Sequence, residues 1–274
     1  MGFRSWRPEP RTDPEESPTP EPMLHADPSK LQFFYGTAPQ PCPYIPGRLE
    51  SKAVTELGRL DAAGLHDVLS QAGFRRSHSI AYRPACQGCR ACVPVRVRVA
   101  DFRPTRSMRR ALRRNADLTW QETDAFATPE QYALFQDYEQ TRHGDGEMAL
   151  MDFDDYRAMV EDTPIETHII EFRDPSGRLV AVSLTDRLGD GLSGVYKFFA
   201  DDRADTSPGT YVILWHIEQA RAMDLPYVYL GYWIAASPKM AYKARFQPME
   251  SLTSAGWRRF VPAAAPRGRD RSFD

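Results

Sequence analysis

The chain lacks any uninterrupted apolar run of about 18 residues, which excludes a transmembrane helix. Its first residues, MGFRSWRPEPRTDPEESPTPEP, carry no apolar h-region, so no secretory signal is expected and the expected location is the cytoplasm. Four cysteines in a cytosolic chain of 274 residues do not predict a disulfide framework. Also missing are a Ser-His-Asp order, a phosphate-binding glycine loop and an HExxH pair, so triad hydrolases, P-loop enzymes and zincins find no support. An Arg/Gln-x-x-Gly-x-Gly/Ala loop entering a helix would signal coenzyme A; SPGTYVIL lacks it. What is present suffices for a real core: 42% of residues are hydrophobic and 11% aromatic, enough for one large domain or two ordinary ones.

The net charge of -2 argues at first sight against a nucleic-acid partner. The distribution reverses this. Between Arg75 and Arg114 stand twelve arginines, no lysine and one acid, Asp101, so this strip carries +11 and the rest of the chain -13. Steering of a polyanion depends on local patches rather than the sum. Arginine throughout favours phosphate, because the planar guanidinium forks onto its oxygens. The plain alternative is a solvated face paired to acids such as Asp152, Asp154 and Asp155.

Along the chain, residues 1–29 are expected to be a proline-rich disordered tail and 259–274 a flexible one. A region over 30–115 holds the cysteines and the arginine strip, and a second domain spans 116–258. LDAAGLHDVLSQAGF predicts a helix on Leu60, Ala63, Val68, Leu69 and Ala72, ended by Gly73. SHSIAYRP and PVRVRVADF predict strands, the second with Val95, Val97 and Val99 inward and Arg96 and Arg98 outward. SMRRALRRNADL predicts a helix capped by Ser107, with arginines covering a wide face. Helices over TPEQYALFQDYEQTRH and FDDYRAMVED precede three strands joined by Gly/Asp turns, then the long helix GTYVILWHIEQARAMDL and the apolar strand PYVYLGYWI. The predicted class is α+β.

Cys86, Cys89 and Cys92, in CQGCRAC, space three thiols as zinc or an iron-sulfur cluster would need, and Cys42 is a candidate fourth ligand. The alternative is a loop of reduced thiols without metal.

CPYIPGRLESKAVTEL, GFRRSHSIAYRPACQGCRACVPVRV with SMRRALRRN, and GTYVILWHIEQARAMDLPYVYLGYWIAASPKMAYKARFQP together resemble the aminoacyl-tRNA-protein transferases. Within them the bacterial aspartate/glutamate leucyltransferase branch, kin to the eukaryotic arginyltransferases, is the most similar. The resemblance covers roughly Leu31 to Leu252. It implies an acetyltransferase-like (GNAT) catalytic lobe beside a smaller N-terminal cysteine-containing α/β region. It implies transfer of leucine from charged tRNA to proteins beginning with Asp or Glu, marking them for N-degron degradation. Related eukaryotic enzymes hold an iron-sulfur cluster through differently spaced cysteines.

Aminolysis of an aminoacyl ester attacks an acyl group already activated, and an α-amine has a pKa of only about 7.7–8. The enzyme must mainly position two substrates and stabilise an oxyanion, so no cofactor is required for the chemistry. Arg106, Arg109, Arg110, Arg113 and Arg114 are the candidates for tRNA, with Arg96 and Arg98 as possible additions. Arg75, Arg76, Arg83, Lys239, Lys243 and Arg245 are the candidates for the acidic acceptor side chain. Tyr232, Ser237 and Tyr242 are the candidate catalytic groups, with Tyr196 and Tyr229 also of suitable type. His216 is expected to be structural and His143 to lie in a loop. A monomer without membrane contact is expected. Two other functions remain open: an arginyl donor with the same acceptors, and a non-catalytic zinc-containing RNA-binding module.

Overall fold

The chain opens with short strands β1 (Tyr35–Gly36), β2 (Gln40–Pro41) and β3 (Leu49–Glu50), then β4 (Lys52–Glu56), helix α1 (Ala62–Gln71), β5 (Arg75–Ser77), β6 (Ile80–Pro84) and β7 (Val93–Arg98). After α2 (Arg106–Arg114) and β8 (Thr119–Asp124) come α3 (Pro129–His143) and α4 (Phe153–Glu161). Three strands follow: β9 (Thr167–Arg173), β10 (Leu179–Leu188) and β11 (Gly191–Phe199). Helix α5 (Pro208–Ala222), β12 (Tyr227–Trp233), the short α6 (Pro238–Ala241), β13 (Met249–Thr253) and β14 (Gly256–Arg259) close the order. This computed structural model describes residues 32–262 except 59, 60 and 145, and the side chain of residue 143 is likewise not described. The tail expected at 1–29, most of that expected at 259–274, and Leu60 fall outside the described residues.

The result is a mixed α+β fold, as the sequence predicts. Eight strands form one sheet in the order β14-β13-β7-β12-β11-β10-β9-β8, and four form another, β1-β4-β6-β5. Among the described residues only β11 and β12 pair in parallel, because α5 is the crossover between them. The expected boundary at 115/116 has β7 on its N-terminal side, yet β7 pairs with both β12 and β13 inside the large sheet.

Apolar alternation fixes which helix covers which face. Ile169 joins Phe135, Tyr156 and Phe198 in the core under α3 and α4. Its neighbours Ile170 and Phe172 join Val212 and Trp215 of α5. Val95 and Val97 are almost wholly buried against α5 and the Met108 side of α2. Each such aliphatic side chain contributes roughly 1.5–3 kcal/mol by leaving water.

Three expectations about local structure need correction. Thr105 caps α2, accepting the Met108 N–H at 3.4 Å, while Ser107 lies within the helix; the cap falls where the backbone is still extended. In α1 the buried residues are Ala62, His66, Leu69 and Ser70, and Val68 is exposed, because His66 is drawn in toward Asp186 at 3.3 Å. Arg96 does not point into water. It is buried with its guanidinium 3.5 Å from the Tyr227 ring and 4.3 Å from the Trp257 ring, and pairs with Glu250 at 2.8 Å. Arg98, half exposed and paired with Asp101, behaves as expected.

Candidate active site

The pairing of β11 with β12 covers Gly191↔Tyr227, Leu192↔Val228 and Ser193↔Tyr229, and there it stops. Beyond it, β11 bulges: Thr185 faces Gly194 and Leu184 faces Tyr196, which leaves Val195 as the extra residue. Carbonyls freed at such a break need a donor. Arg75, reaching from β5 in the other sheet, donates to Gly194 O at 3.1 Å and Val195 O at 2.7 Å. A single arginine thus joins the two sheets where the strands part.

The break opens into a cavity of about 1250 Å³, lined among others by Arg75, Glu139, Tyr196, Lys197, Tyr242 and Lys243. The start of α5, with Pro208, Gly209 and Thr210, also contributes. The space exceeds the roughly 300–1,000 Å³ usual for one small ligand and suits two substrate ends meeting.

Arg75, Lys197 and Lys243 are among the basic residues that line this space. Lys243 is buried and its Nζ donates to Tyr232 O at 2.7 Å; burial, then Arg75 and Lys197, hold its amine well below the usual lysine range. Lys197 Nζ donates to the Tyr242 hydroxyl at 3.2 Å. Among the described residues none of Arg75, Lys197 and Lys243 has a carboxylate partner, although Glu50, Glu139 and Glu147 also line the cavity. His216 stands behind it, its Nε2 2.8 Å from Thr185 Oγ1 and 3.4 Å from Ser183 Oγ, and burial followed by Lys197 lowers its pKa to about 3. It is a neutral structural group, as expected.

Three acids, Glu50, Glu139 and Glu147, face the same space. Glu139 of α3 is buried, and Tyr196 donates its hydroxyl to Glu139 Oε1. Burial raises the Glu139 carboxyl above its ordinary pKa, opposed by the Tyr196 bond and by Lys239. The Tyr196 hydroxyl is itself pushed up by burial and by that carboxylate. Motif and charge pattern single out neither Glu139 nor Lys197. The signal that could find Glu139 is the register of α3: it follows Gln131 and Phe135 at four-residue spacing, both buried, so an acid sits on the inward face.

The residues proposed from sequence scatter. Arg75, Arg76, Lys239, Tyr242 and Lys243 line the cavity, as do Tyr196 and Tyr229. Arg76 is committed elsewhere: its Nε and Nη2 clamp Asp186 at 2.9 and 2.8 Å, and Nη1 donates to His78 O at 3.0 Å, all buried or half-buried. Arg83 lies exposed, donating to Ala72 O at 3.0 Å. Arg245 is exposed and reaches Ser107 of α2 at 3.4 Å, away from the cavity lining. Tyr232 turns its hydroxyl to Gly73 O at 2.9 Å and Tyr82 O at 3.2 Å, tying β12 to the smaller sheet instead of lining the cavity. Ser237 is buried just before α6 and does not line the cavity either. Tyr229 bonds Asp190 at 3.0 Å and Arg96 at 3.1 Å. His143 ends α3 instead of lying in a loop.

The four cysteines meet only loosely. Burial and the neighbouring Cys42, Cys86 and Cys89 thiols push the Cys92 thiol up to about 11, so Cys42 does reach the loop of the other three. All four are free, and Cys86 Sγ is engaged with the Ser51 backbone at 3.5 Å from its N. Among the described residues no group of three or more His, Cys, Asp or Glu side chains is arranged to hold a metal ion. The residues Cys42, Cys86, Cys89 and Cys92 therefore do not present the ligand set that zinc or a cluster needs.

Arg106, Arg109, Arg110, Arg113 and Arg114 all lie exposed on α2, whose Met108 and Ala111 are buried. Arg114 is tied to Asp205 O at 2.5 Å, and Asn115 donates to Thr206 O at 2.9 Å. These bonds fix the arginine face beside the turn that leads into α5 at the cavity.

Comparisons with known proteins identify the family. The family description "Arginine-tRNA-protein transferase, N terminus" matches residues 40–110, and "Arginine-tRNA-protein transferase, C terminus" matches 130–253. The molecule is thus an aminoacyl-tRNA-protein transferase by class. Aspartate/glutamate leucyltransferase of Paramagnetospirillum magneticum is 56% identical over 88% of this chain and 98% of its own. The enzyme of the same name from Gluconacetobacter diazotrophicus is 56% identical over 91% and 93%, and that of Rhodospirillum rubrum 54% over 87% and 97%. The chain belongs to the aspartate/glutamate leucyltransferase family. Among solved structures, FemX overlaps at a TM-score of 0.42 and 9% identity, over 66% of this chain and 63% of that one, too little to define a shared fold.

Proposed function

We propose that this chain transfers leucine from Leu-tRNA to the N-terminal amine of proteins beginning with Asp or Glu, within the cavity at the parting of β11 and β12. The observation that carries it is that Arg75, Lys197 and Lys243 line this cavity with no carboxylate partner among the described residues. Arg75 and Lys197 are half-buried, and partly desolvated cations without counter-ions raise the free energy of the empty site, which an acidic side chain entering it lowers; Lys243, its amine held low by burial, adds a hydrogen-bonding group. The α2 arginines take the acceptor stem, and the start of α5 leads its aminoacylated end into the cavity. The parted β11–β12 pair with α5 as its crossover supports a GNAT-like lobe, carrying the smaller cysteine-containing region on β5 and β6. Monomeric action in the cytoplasm, where charged tRNA is found, and marking of the product for N-degron degradation belong to the same reading.

The chemistry needs no covalent enzyme intermediate. The acceptor nitrogen attacks the ester carbonyl carbon, a C–N bond forms, and the bond to the terminal ribose oxygen breaks with that oxygen taking a proton. Holding both substrates in the cavity supplies most of the acceleration. The Lys197 ammonium, steadied by Tyr242, is one donor within the cavity for the charges that bind there. Labelled leucine should pass from Leu-tRNA to a peptide starting with Asp, and the same assay with Arg-tRNA should give no comparable product. Transfer from Arg-tRNA alone would make the chain an arginyltransferase; transfer from neither would refute the function.

A further inference from the structure

An acceptor that begins with Asp brings two charges into the cavity: the acidic side chain and, at neutral pH, the α-ammonium. The cations Arg75, Lys197 and Lys243 answer the first. Placing the second beside them would cost Coulomb energy unless an acid were also present. Of the three acids on the cavity wall Glu50 is paired with Lys52 and Glu147 is exposed, whereas Glu139 is buried and its only hydrogen-bond partner among the described residues is Tyr196. That bond occupies Oε1 and leaves Oε2 for a donor. Tyr196 and Lys197 are consecutive on β11, and both line the cavity.

We propose that Glu139 receives the acceptor's α-ammonium and takes the proton its nitrogen must lose before attack, with Tyr196 as the positioning residue. This deepens the leucyl-transfer function and rests on it for the identity of the acceptor. The step balances. The ammonium gives one proton to the Glu139 carboxylate and becomes the nucleophilic amine; attack forms the C–N bond. The nitrogen then loses a second proton as the ribose oxygen leaves with one, and Glu139 returns its proton to water. A general base works best when its pKa approaches that of the proton it takes, and burial moves Glu139 in that direction. The charged and titratable groups around it are Tyr196 of β11, Tyr138 and Arg142 of α3, Lys239 of α6, and Tyr242 and Tyr44 beyond them. Arg142 is paired with Asp201 at 2.9 Å.

The proposal separates acceptor selection into two charges, which a pair of peptides resolves. One begins with Asp; the other is its succinyl counterpart, identical except for the missing α-amine. Binding of both is measured by titration calorimetry at pH 7 to the full chain and to Glu139→Gln. The wild type should favour the amine-bearing peptide by about tenfold or more, the effect of one hydrogen bond to a charged group. Glu139→Gln should bind the two alike, and discrimination unchanged by the substitution would overturn the proposal. Transfer rates give a second readout. With Glu139→Gln the amine must arrive neutral, so the rate should climb through a pH of about 7.7–8. The wild type should reach its plateau at lower pH, and identical profiles would again overturn it. Should Glu139→Gln melt or misfold, Tyr196→Phe serves instead: it removes the bond that lowers the Glu139 pKa, so its acid limb should move to higher pH, and an unmoved limb refutes the proposal. If the wild type transfers no leucine, the function fails while the peptide pair still decides on Glu139.

Discussion

The Arg75 guanidinium occupies the space that a side chain on Gly231 would need: a Cβ built there would lie 2.7 Å from the Arg75 Cζ. Gly231 also has φ +72, a left-handed conformation that costs other residues roughly 1–2 kcal/mol. Glycine at 231 is therefore what lets β5 of one sheet place its arginine against the parted strands of the other.

Gly231→Ala should lower stability by about 1–2 kcal/mol and, by pushing Arg75 off the Gly194 and Val195 carbonyls, reduce kcat/KM by about tenfold or more. Denaturant unfolding and transfer kinetics on the same preparation check both. A stable variant with full activity would show that Arg75 is not held by this fit.

Lys243→Met should keep or raise stability near neutral pH, since it replaces a buried amine that folding holds well below its ordinary pKa. The sign follows from proton binding: the unfolded chain keeps the Lys243 proton to higher pH than the folded one, so stability contributed by this group rises with pH between the two pKa values. The substitution should flatten that rise in unfolding curves taken across pH, and weaken use of Asp-initiated peptides.

Asp186→Asn should cost about 3–5 kcal/mol, because it strands the buried Arg76. Burial alone would raise the Asp186 pKa, but the bonds from His66 and Arg76 outweigh it and the carboxyl lies below its usual range. Stability from this group is thus present above the unfolded carboxyl pKa of about 3.9 and is lost as pH falls through the folded value. Acid unfolding of the wild type should show this loss and that of the variant should not.

Replacing Arg106, Arg110 and Arg113 together with Ala should weaken tRNA binding and reduce the slope of log affinity against log salt by about one unit per lost phosphate contact. None of the three side chains has a hydrogen bond or ion pair among the described residues, so stability should hardly change. An unaltered salt slope would remove α2 from the tRNA surface.

Much of this architecture is legible in the sequence, and the limits have physical causes. Helices α3, α4 and α5 and strands β7 and β12 follow from period and turn residues, because their apolar faces are continuous. The arginine strip misleads when read as one surface. Arg75, Arg76 and Arg96 are spent inside the protein on carbonyls, on Asp186, and between Tyr227 and Trp257. Their partners lie roughly 110 to 160 residues away in the chain, beyond what spacing can reveal. Tyr232 falls on its expected strand, but the direction of its hydroxyl depends on how the two sheets meet. Glu139 escapes a reading by motif because an acid within an otherwise amphipathic helix resembles a solvated one until the helix phase is known.

Acceptor discrimination tests the central claim most directly: kcat/KM with Leu-tRNA for two peptides differing only in an N-terminal Asp or the isosteric Asn, in the wild type and in Lys197→Met. The wild type should favour Asp by at least about tenfold, and Lys197→Met should lose most of that preference while still accepting leucine from tRNA. Equal use of Asp and Asn by the wild type, or a preference untouched by removing the Lys197 charge, would contradict the assignment of this cavity as the acidic-acceptor site.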